Sequence, residues 1–370
     1  MQTYAVGGAV RDELLGLPVQ DRDWVVVGAT PEAMAKLGFR PVGADFPVFL
    51  HPQTHEEYAL ARTERKTGPG YKGFAFRASP DVTLEEDLRR RDLTINAMAR
   101  AEDGTLVDPW GGRRDLEEGV LRHVSEAFAE DPVRILRVAR FAARFGFPVA
   151  PETNELMRRM VEAGEADTLV PERVWQELAR GLAEPRPARF VATLEDCGAL
   201  ARVLPEIASL GTEPGGLALV RSRLEAAVPF ATPVRFAVMT LGLSPESVRG
   251  LCERVNAPGE CRDLAELAAR ERAAAEGAAG LAAEGLLGLL ERTDAFRRPE
   301  RLERLLQACE ADLAARGHSR RVPRERIDRA RQAALEVDAA AVAKSHAGNV
   351  PAAIHAARAA RIAERLATGG

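Results

Sequence analysis

The spacing of apolar residues changes once along this 370-residue chain, near Asp131, and that change restricts the folds open to it. Before it lie short β-rich runs, WVVVG at 24–28, PVFL at 47–50, EYALA at 57–61, TLVDP at 105–109 and GVLRHV at 119–124. Short helical stretches and turn residues separate them, which predicts a small α/β domain. After Asp131, Ala, Leu, Arg and Glu recur three and four residues apart, which predicts helices almost throughout. Thr30 before Pro31, Thr83 with Glu86, and Asp131 before Pro132 are helix-start signals. The expected fold class is α+β, a small mixed sheet with helices at 1–125, then all-α segments at 126–210 and 211–370. Pro and Gly at 185–187 and 211–216 mark boundaries between helical subdomains.

No run of 18 apolar residues exists and the start lacks the basic-then-apolar order of a signal peptide, so no membrane partner is expected. Cys197, Cys252, Cys261 and Cys309 form no CxxC pair and read as buried thiols of a cytoplasmic protein. Residues 301–370 carry 13 Lys+Arg against 8 Asp+Glu, a net +5, whereas 191–300 carry 12 against 16, a net −4. A basic tail permits a phosphate-binding surface, and equally a solvated Arg-rich helical face.

Two constellations carry chemistry. Tyr4-Ala5-Val6 reads as a strand leading through Gly7-Gly8 into a helical run that starts Ala9-Val10-Arg11. Glycines there let the backbone approach a phosphate at the positive helix end, with Arg11 as a charged fork, though such glycines also serve plain tight turns. Asp21-Arg22-Asp23 then enters the apolar run from Trp24. Strand alternation would put both carboxylates on one side. Two carboxylates so placed suit hard divalent cations that bridge a triphosphate, and the alternative is an exposed turn.

These residues resemble a known family. Gly7-Gly8-Ala9-Val10-Arg11-Asp12 followed by Asp21-Arg22-Asp23 is similar to the first motif of the class II tRNA nucleotidyltransferases, the bacterial and eukaryotic CCA-adding enzymes with bacterial poly(A) polymerase as a relative. Arg90-Arg91-Asp92 with Asn96-Ala97-Met98, Asp108-Pro109-Trp110-Gly111-Gly112, Glu130-Asp131-Pro132-Val133-Arg134, and Pro171-Glu172-Arg173-Val174-Trp175-Gln176-Glu177 resemble the later motifs, in order. The subgroup it most resembles is the gamma-proteobacterial CCA-adding type.

The resemblance implies a polymerase-β-like nucleotidyltransferase head that adds C, C and A from CTP and ATP to the tRNA 3′ end, with release of pyrophosphate. It implies Mg²⁺ on Asp21 and Asp23 as the catalytic and metal-holding pair. It implies nucleotide contacts from Gly8, Arg11, Arg91, Asn96, Arg137 and Arg140, and a helical body that holds the tRNA acceptor arm. Asp131 and Arg134 would read the base, because cytosine and adenine both present an amino donor beside a ring-nitrogen acceptor, whereas uracil and guanine reverse that order. On a helix beginning at Pro132, Arg134, Arg137, Arg140 and Arg144 fall within about a 120° arc. Glu64 reads as a further acidic group near the site. The Gly-rich segment 66–74 matches a loop that helps switch the family from CTP to ATP.

One departure is informative. Close relatives of this subgroup often carry a phosphohydrolase domain with a paired His-Asp metal motif, but here no histidine lies between His123 and His318. That activity is therefore not expected. His51 and His55 read as structural. The alternatives are an A-adding or CC-adding enzyme, a poly(A) polymerase, a non-catalytic tRNA-binding protein, and a small-molecule nucleotidyltransferase.

Overall fold

Val6 stands opposite Asp23 and Gln2 opposite Val27 where β1 (Gln2–Val6) runs antiparallel to β2 (Asp23–Val27). Neighbouring Val25 and Val26 are each 1% exposed, so this strand is covered on both faces. In this computed structural model all residues are described except 20, 43–47, 67–73, 346–347 and 369–370, with the backbone alone at 64–66 and 74–77.

The remaining strands are β3 (Arg40–Val42), β4 (Val48–Leu50), β5 (Glu57–Leu60), β6 (Arg62–Lys66), β7 (Phe74–Ala78), β8 (Ala99–Ala101) and β9 (Leu106–Val107). The main sheet has the order β3-β4-β5-β2-β1-β8-β9, mixed because β2 and β5 are parallel and the other pairs antiparallel. Strands β6 and β7 pair separately, Arg62 opposite Ala78. The Gly-rich segment between them, 67–73, and the side chain of Glu64 lie outside the described residues. Val6, Val25, Leu88, Ala97 and Ala99 fill one core, and Val26, Met34, Phe49 and Leu60 another.

Helices α1 (Gly8–Leu14), α2 (Pro31–Lys36), α3 (Leu84–Arg89) and α4 (Gly112–Glu118) accompany the sheet. The start signals hold: Thr30 Oγ1 accepts from Ala33 N at 3.2 Å, and Thr83 with Glu86 closes a capping box. One expected strand does not form. Residues 119–124 make only isolated bridges, Leu121 to Val149 and His123 to Leu93. Their backbone is shared out instead, Val120 N to Asp115 O and Leu121 N to Pro148 O, so no ladder can extend.

Helix α5 (Val133–Phe145) starts later than the Asp131–Pro132 signal predicts. Pro132 is the cap residue, and Asp131 Oδ1 accepts from Val133 N at 3.1 Å. Helices α6 (Pro151–Glu162), α7 (Pro171–Ala183) and α8 (Ala188–Asp196) follow.

Contacts divide the chain into two compact units, Met1–Glu177 with Arg189–Val203, and Leu178–Ala188 with Leu204–Gly370. The second is helical. At its centre Asp312, fully buried, accepts Arg223 Nε at 2.6 Å and Arg272 Nη1 at 2.7 Å. Burial alone would raise that carboxyl, but the two guanidiniums hold it below the usual range. Much of the positive charge of 301–370 is engaged in ion pairs, Arg301 with Asp263, Arg316 with Glu276 and Arg324 with Glu303 among them. The four cysteines are free and buried, and burial pushes the thiols of Cys197 and Cys252 up to about 11. No helix among the described residues is long and apolar enough to cross a membrane.

Candidate active site

The sheet register builds the site. Because Val6 pairs with Asp23, the Gly7-Gly8 turn that follows β1 lies beside the start of β2. Gly7 has φ 69°, a backbone conformation that favours glycine, and a Cβ there would stand 2.8 Å from Arg91 Nη1. Asp23 continues the Val25 row on the sheet face covered by Leu88 and Ala97, the segment that carries Arg91 and Asn96. Strand alternation applies to Asp23 but not to Asp21, which precedes β2.

Asp21 and Asp23 are exposed, and among the described residues neither carboxylate has a hydrogen bond or ion pair. No group of three or more His, Cys, Asp or Glu able to hold a metal ion assembles there or elsewhere among the described residues. Two open carboxylates fit an ion that takes one or two protein oxygens and completes its shell with water and substrate phosphates, as Mg²⁺ does.

The other candidates sit in a buried polar network. Arg11, 4% exposed, donates from Nη1 to Asn96 Oδ1 at 2.5 Å and from Nε to Asp12 Oδ1 at 2.8 Å. Its guanidinium lies over Phe141 and Phe145, 5.2 and 5.1 Å from the ring centres, and burial lowers its pKa. Asn96 Nδ2 donates to Asp92 Oδ1 at 3.0 Å, and Arg137 Nε donates to Asp92 Oδ2 at 2.7 Å. Burial alone would raise the Asp92 carboxyl, yet Arg137 and Asn96 hold it well below the usual range. Arg91 donates to Asp87 Oδ2 at 3.3 Å and to Asn96 O at 3.4 Å.

The arginine stripe of α5 is no solvated face. Arg134 donates to Ala127 O and Arg90 O, both at 2.7 Å, Arg140 to Glu177 Oε2 at 2.6 Å, and Arg144 to Asp12 Oδ2 at 2.9 Å. Asp131 is gripped by Arg173 on α7, Nη1 to Oδ1 at 3.1 Å and Nη2 to Oδ2 at 2.8 Å. Asp12, Asp87, Asp92, Arg173 and Glu177 were not among the sequence candidates. The signal that could have found them is charge balance, since a row of arginines packed against the fold, two of them buried, requires carboxylates facing it. Beside Arg134's anchors, Thr63, Arg89, Arg90, Ser125, Ala127 and Glu130 line an open cleft of about 450 Å³. His51 is structural, its Nδ1 accepting turn amides from Gln53 and Thr54.

A profile of the poly A polymerase head domain matches residues 3–122, and one described as the probable RNA and SrmB-binding site of polymerase A matches residues 146–210. The Multifunctional CCA protein of Burkholderia multivorans is 53% identical, covering 100% of both chains. This chain belongs to the multifunctional CCA protein family. The family's protein from Azoarcus sp. is 55% identical over 98% of this chain and 97% of its own. A crystal structure of the Bacillus stearothermophilus CCA-adding enzyme in complex with CTP matches with a TM-score of 0.65 at 26% identity, over 99% of this chain and 93% of that one. The resemblance read from the motifs is thereby borne out, as is the mixed-sheet head followed by helices. Proteins of the multifunctional CCA family are nucleotidyltransferases and generally depend on a divalent metal.

Proposed function

We propose that this chain is a template-independent CCA-adding tRNA nucleotidyltransferase. It adds C, C and A to the tRNA 3′ end from CTP and ATP, releases pyrophosphate at each addition, and works in the cytoplasm. The observation that carries this reading is the register of Val6 with Asp23, which brings the Gly7-Gly8 turn beside the open carboxylate of Asp23, two residues after Asp21, within a unit that also holds Asp131 and Arg134. In this division of labour, residues 1–125 form the catalytic head, 126–210 the nucleotide-selecting neck, and 211–370 the tRNA-binding body and tail.

Asp21 and Asp23 hold Mg²⁺, which when bound supplies charge neutralisation at the triphosphate and at the attacking 3′ oxygen. Gly8 lets the backbone come close to the phosphates. Arg11, Arg91, Arg137 and Arg140 provide positive charge whose positions are already set by the carboxylates and amide around them, so little reorganisation remains when the nucleotide binds. Asn96 orients Arg11. Asp131 accepts from the amino group of cytosine or adenine, and Arg134 donates to the neighbouring ring nitrogen. Uracil or guanine would set acceptor against acceptor and donor against donor, which costs kcal/mol rather than tenths.

The test uses purified full-length protein, Mg²⁺ and a tRNA trimmed of its 3′ end, with products resolved at single-nucleotide length. Two additions with CTP alone and a third with ATP, followed by a stop, are expected. Addition of A only to a tRNA ending in CC, a halt after CC, a long A ladder, or no extension would instead favour an A-adding enzyme, a CC-adding enzyme, a poly(A) polymerase or a binding protein, respectively.

A further inference from the structure

A carboxylate can accept in about four lone-pair directions, two on each oxygen. Asp131 has three of them filled. Oδ1 accepts from Val133 N at 3.1 Å and from Arg173 Nη1 at 3.1 Å, and Oδ2 accepts from Arg173 Nη2 at 2.8 Å. One direction is left, on Oδ2. We infer that Arg173 is a specificity-setting positioning residue, which presents Asp131 to the incoming nucleotide as a single acceptor fixed in place. This rests on the reading of Asp131 as a base contact.

The argument follows from the freedom of the carboxylate group. The last torsion of Asp is broad and roughly two-fold, so a carboxylate held by one backbone amide can swing. A planar guanidinium with two parallel N–H groups removes that swing, because both oxygens must stay in the plane of the fork. Fixed in this way, the remaining lone pair on Oδ2 suits the amino group of cytosine or adenine and opposes the carbonyl oxygen of uracil or guanine. Released, the carboxylate can move toward the N3–H of uracil or the N1–H of guanine, both of which are donors. Arg173 therefore acts against the wrong bases more than it aids the right ones. It is placed to do so by α7, whose first turn carries it, and α7 is anchored to α5 by the bond between Arg140 and Glu177 four residues further on.

The experiment compares wild type, Arg173→Gln, Arg173→Lys and Asp131→Ala as full chains. Single-nucleotide extension of a trimmed tRNA gives kcat/KM for CTP and for UTP, and thermal unfolding is followed in parallel. Arg173→Gln is expected to reduce the CTP-over-UTP ratio at least tenfold, with UTP used better relative to CTP. Arg173→Lys keeps the charge but loses the fork, and is expected to fall between Arg173→Gln and wild type. A purely structural role would lower both nucleotides by the same factor and leave the ratio unchanged, which would overturn the inference. If Arg173→Gln fails to fold, the ratio in Arg173→Lys decides by the same criterion. A wild-type ratio in Asp131→Ala would overturn the base-contact reading itself. A changed ratio there, with wild-type ratios in both Arg173 variants, would overturn this inference alone.

Discussion

Asp92 and Arg137 stand 45 residues apart and are bonded at 2.7 Å, which ties the segment after α3 to the neck helix α5. Asp92 is 6% exposed and also receives the Asn96 amide, so one carboxylate orients two of the proposed nucleotide-binding residues. Asp92→Asn would leave Arg137 without its charge partner. A loss of about 2 kcal/mol is expected, short of the full value for a buried pair because a third of Arg137 remains in water. Urea unfolding measures the loss, and kcat/KM for CTP is expected to fall with it.

Asp21 and Asp23 present the opposite case. They are exposed and support nothing else in the fold, so Asp21→Ala and Asp23→Ala are expected to change stability by less than about 0.5 kcal/mol. Each is expected to abolish nucleotide transfer while tRNA binding, read by filter retention, persists. A near-normal rate in either variant would remove that residue from the site.

Acid sensitivity follows from Asp87, Asp92 and Asp312, all held below the usual carboxylate range by neighbouring arginines. A carboxyl whose folded pKa is depressed stabilises the fold above its unfolded value of about 3.9 and loses that contribution as pH falls toward the folded value. Stability should therefore be flat in these groups near neutrality and drop steeply below about pH 4. Urea midpoints taken between pH 6 and pH 3 test this, and Asp92→Asn should make the drop shallower.

Gly112 opens α4, and a Cβ there would stand 2.1 Å from Thr94 O, where the obstacle is backbone. Gly112→Ala is expected to cost about 2–3 kcal/mol. It should also lower activity, because Thr94 precedes Asn96 by two residues. Thermal unfolding and single-nucleotide extension together check both.

The cysteines offer a simple probe of packing. With thiol pKa values pushed to about 11 for Cys197 and Cys252 and about 12 for Cys261, native protein should react very slowly with a thiol reagent at pH 8. All four should react once the protein is unfolded in urea. Rapid labelling of the native form would show that the helical cores open readily.

Much of this was legible in advance, for identifiable reasons. The strands at 24–28 and 57–61 and the caps at Thr30 and Thr83 are local signals, and the structure follows them. The run 119–124 misled because its valines and leucine look like a strand, whereas its backbone partners come from separate segments that spacing does not reveal. Arg134, Arg137 and Arg140 came from the family resemblance, and their common helix face supported them. Asp92 and Glu177 stand in the quoted motifs but were given no role, because they meet that face only through tertiary packing.

The anchors of Arg134 have a consequence for how this site tolerates change. Two main-chain carbonyls, those of Ala127 and Arg90, accept from its guanidinium. Replacing either of those residues leaves its carbonyl in place, so the seat of the proposed base-reading arginine is insulated from point substitution there. It is instead vulnerable to insertions and deletions at the anchors themselves, since one residue added or lost beside 90 or 127 would put a different carbonyl in that place.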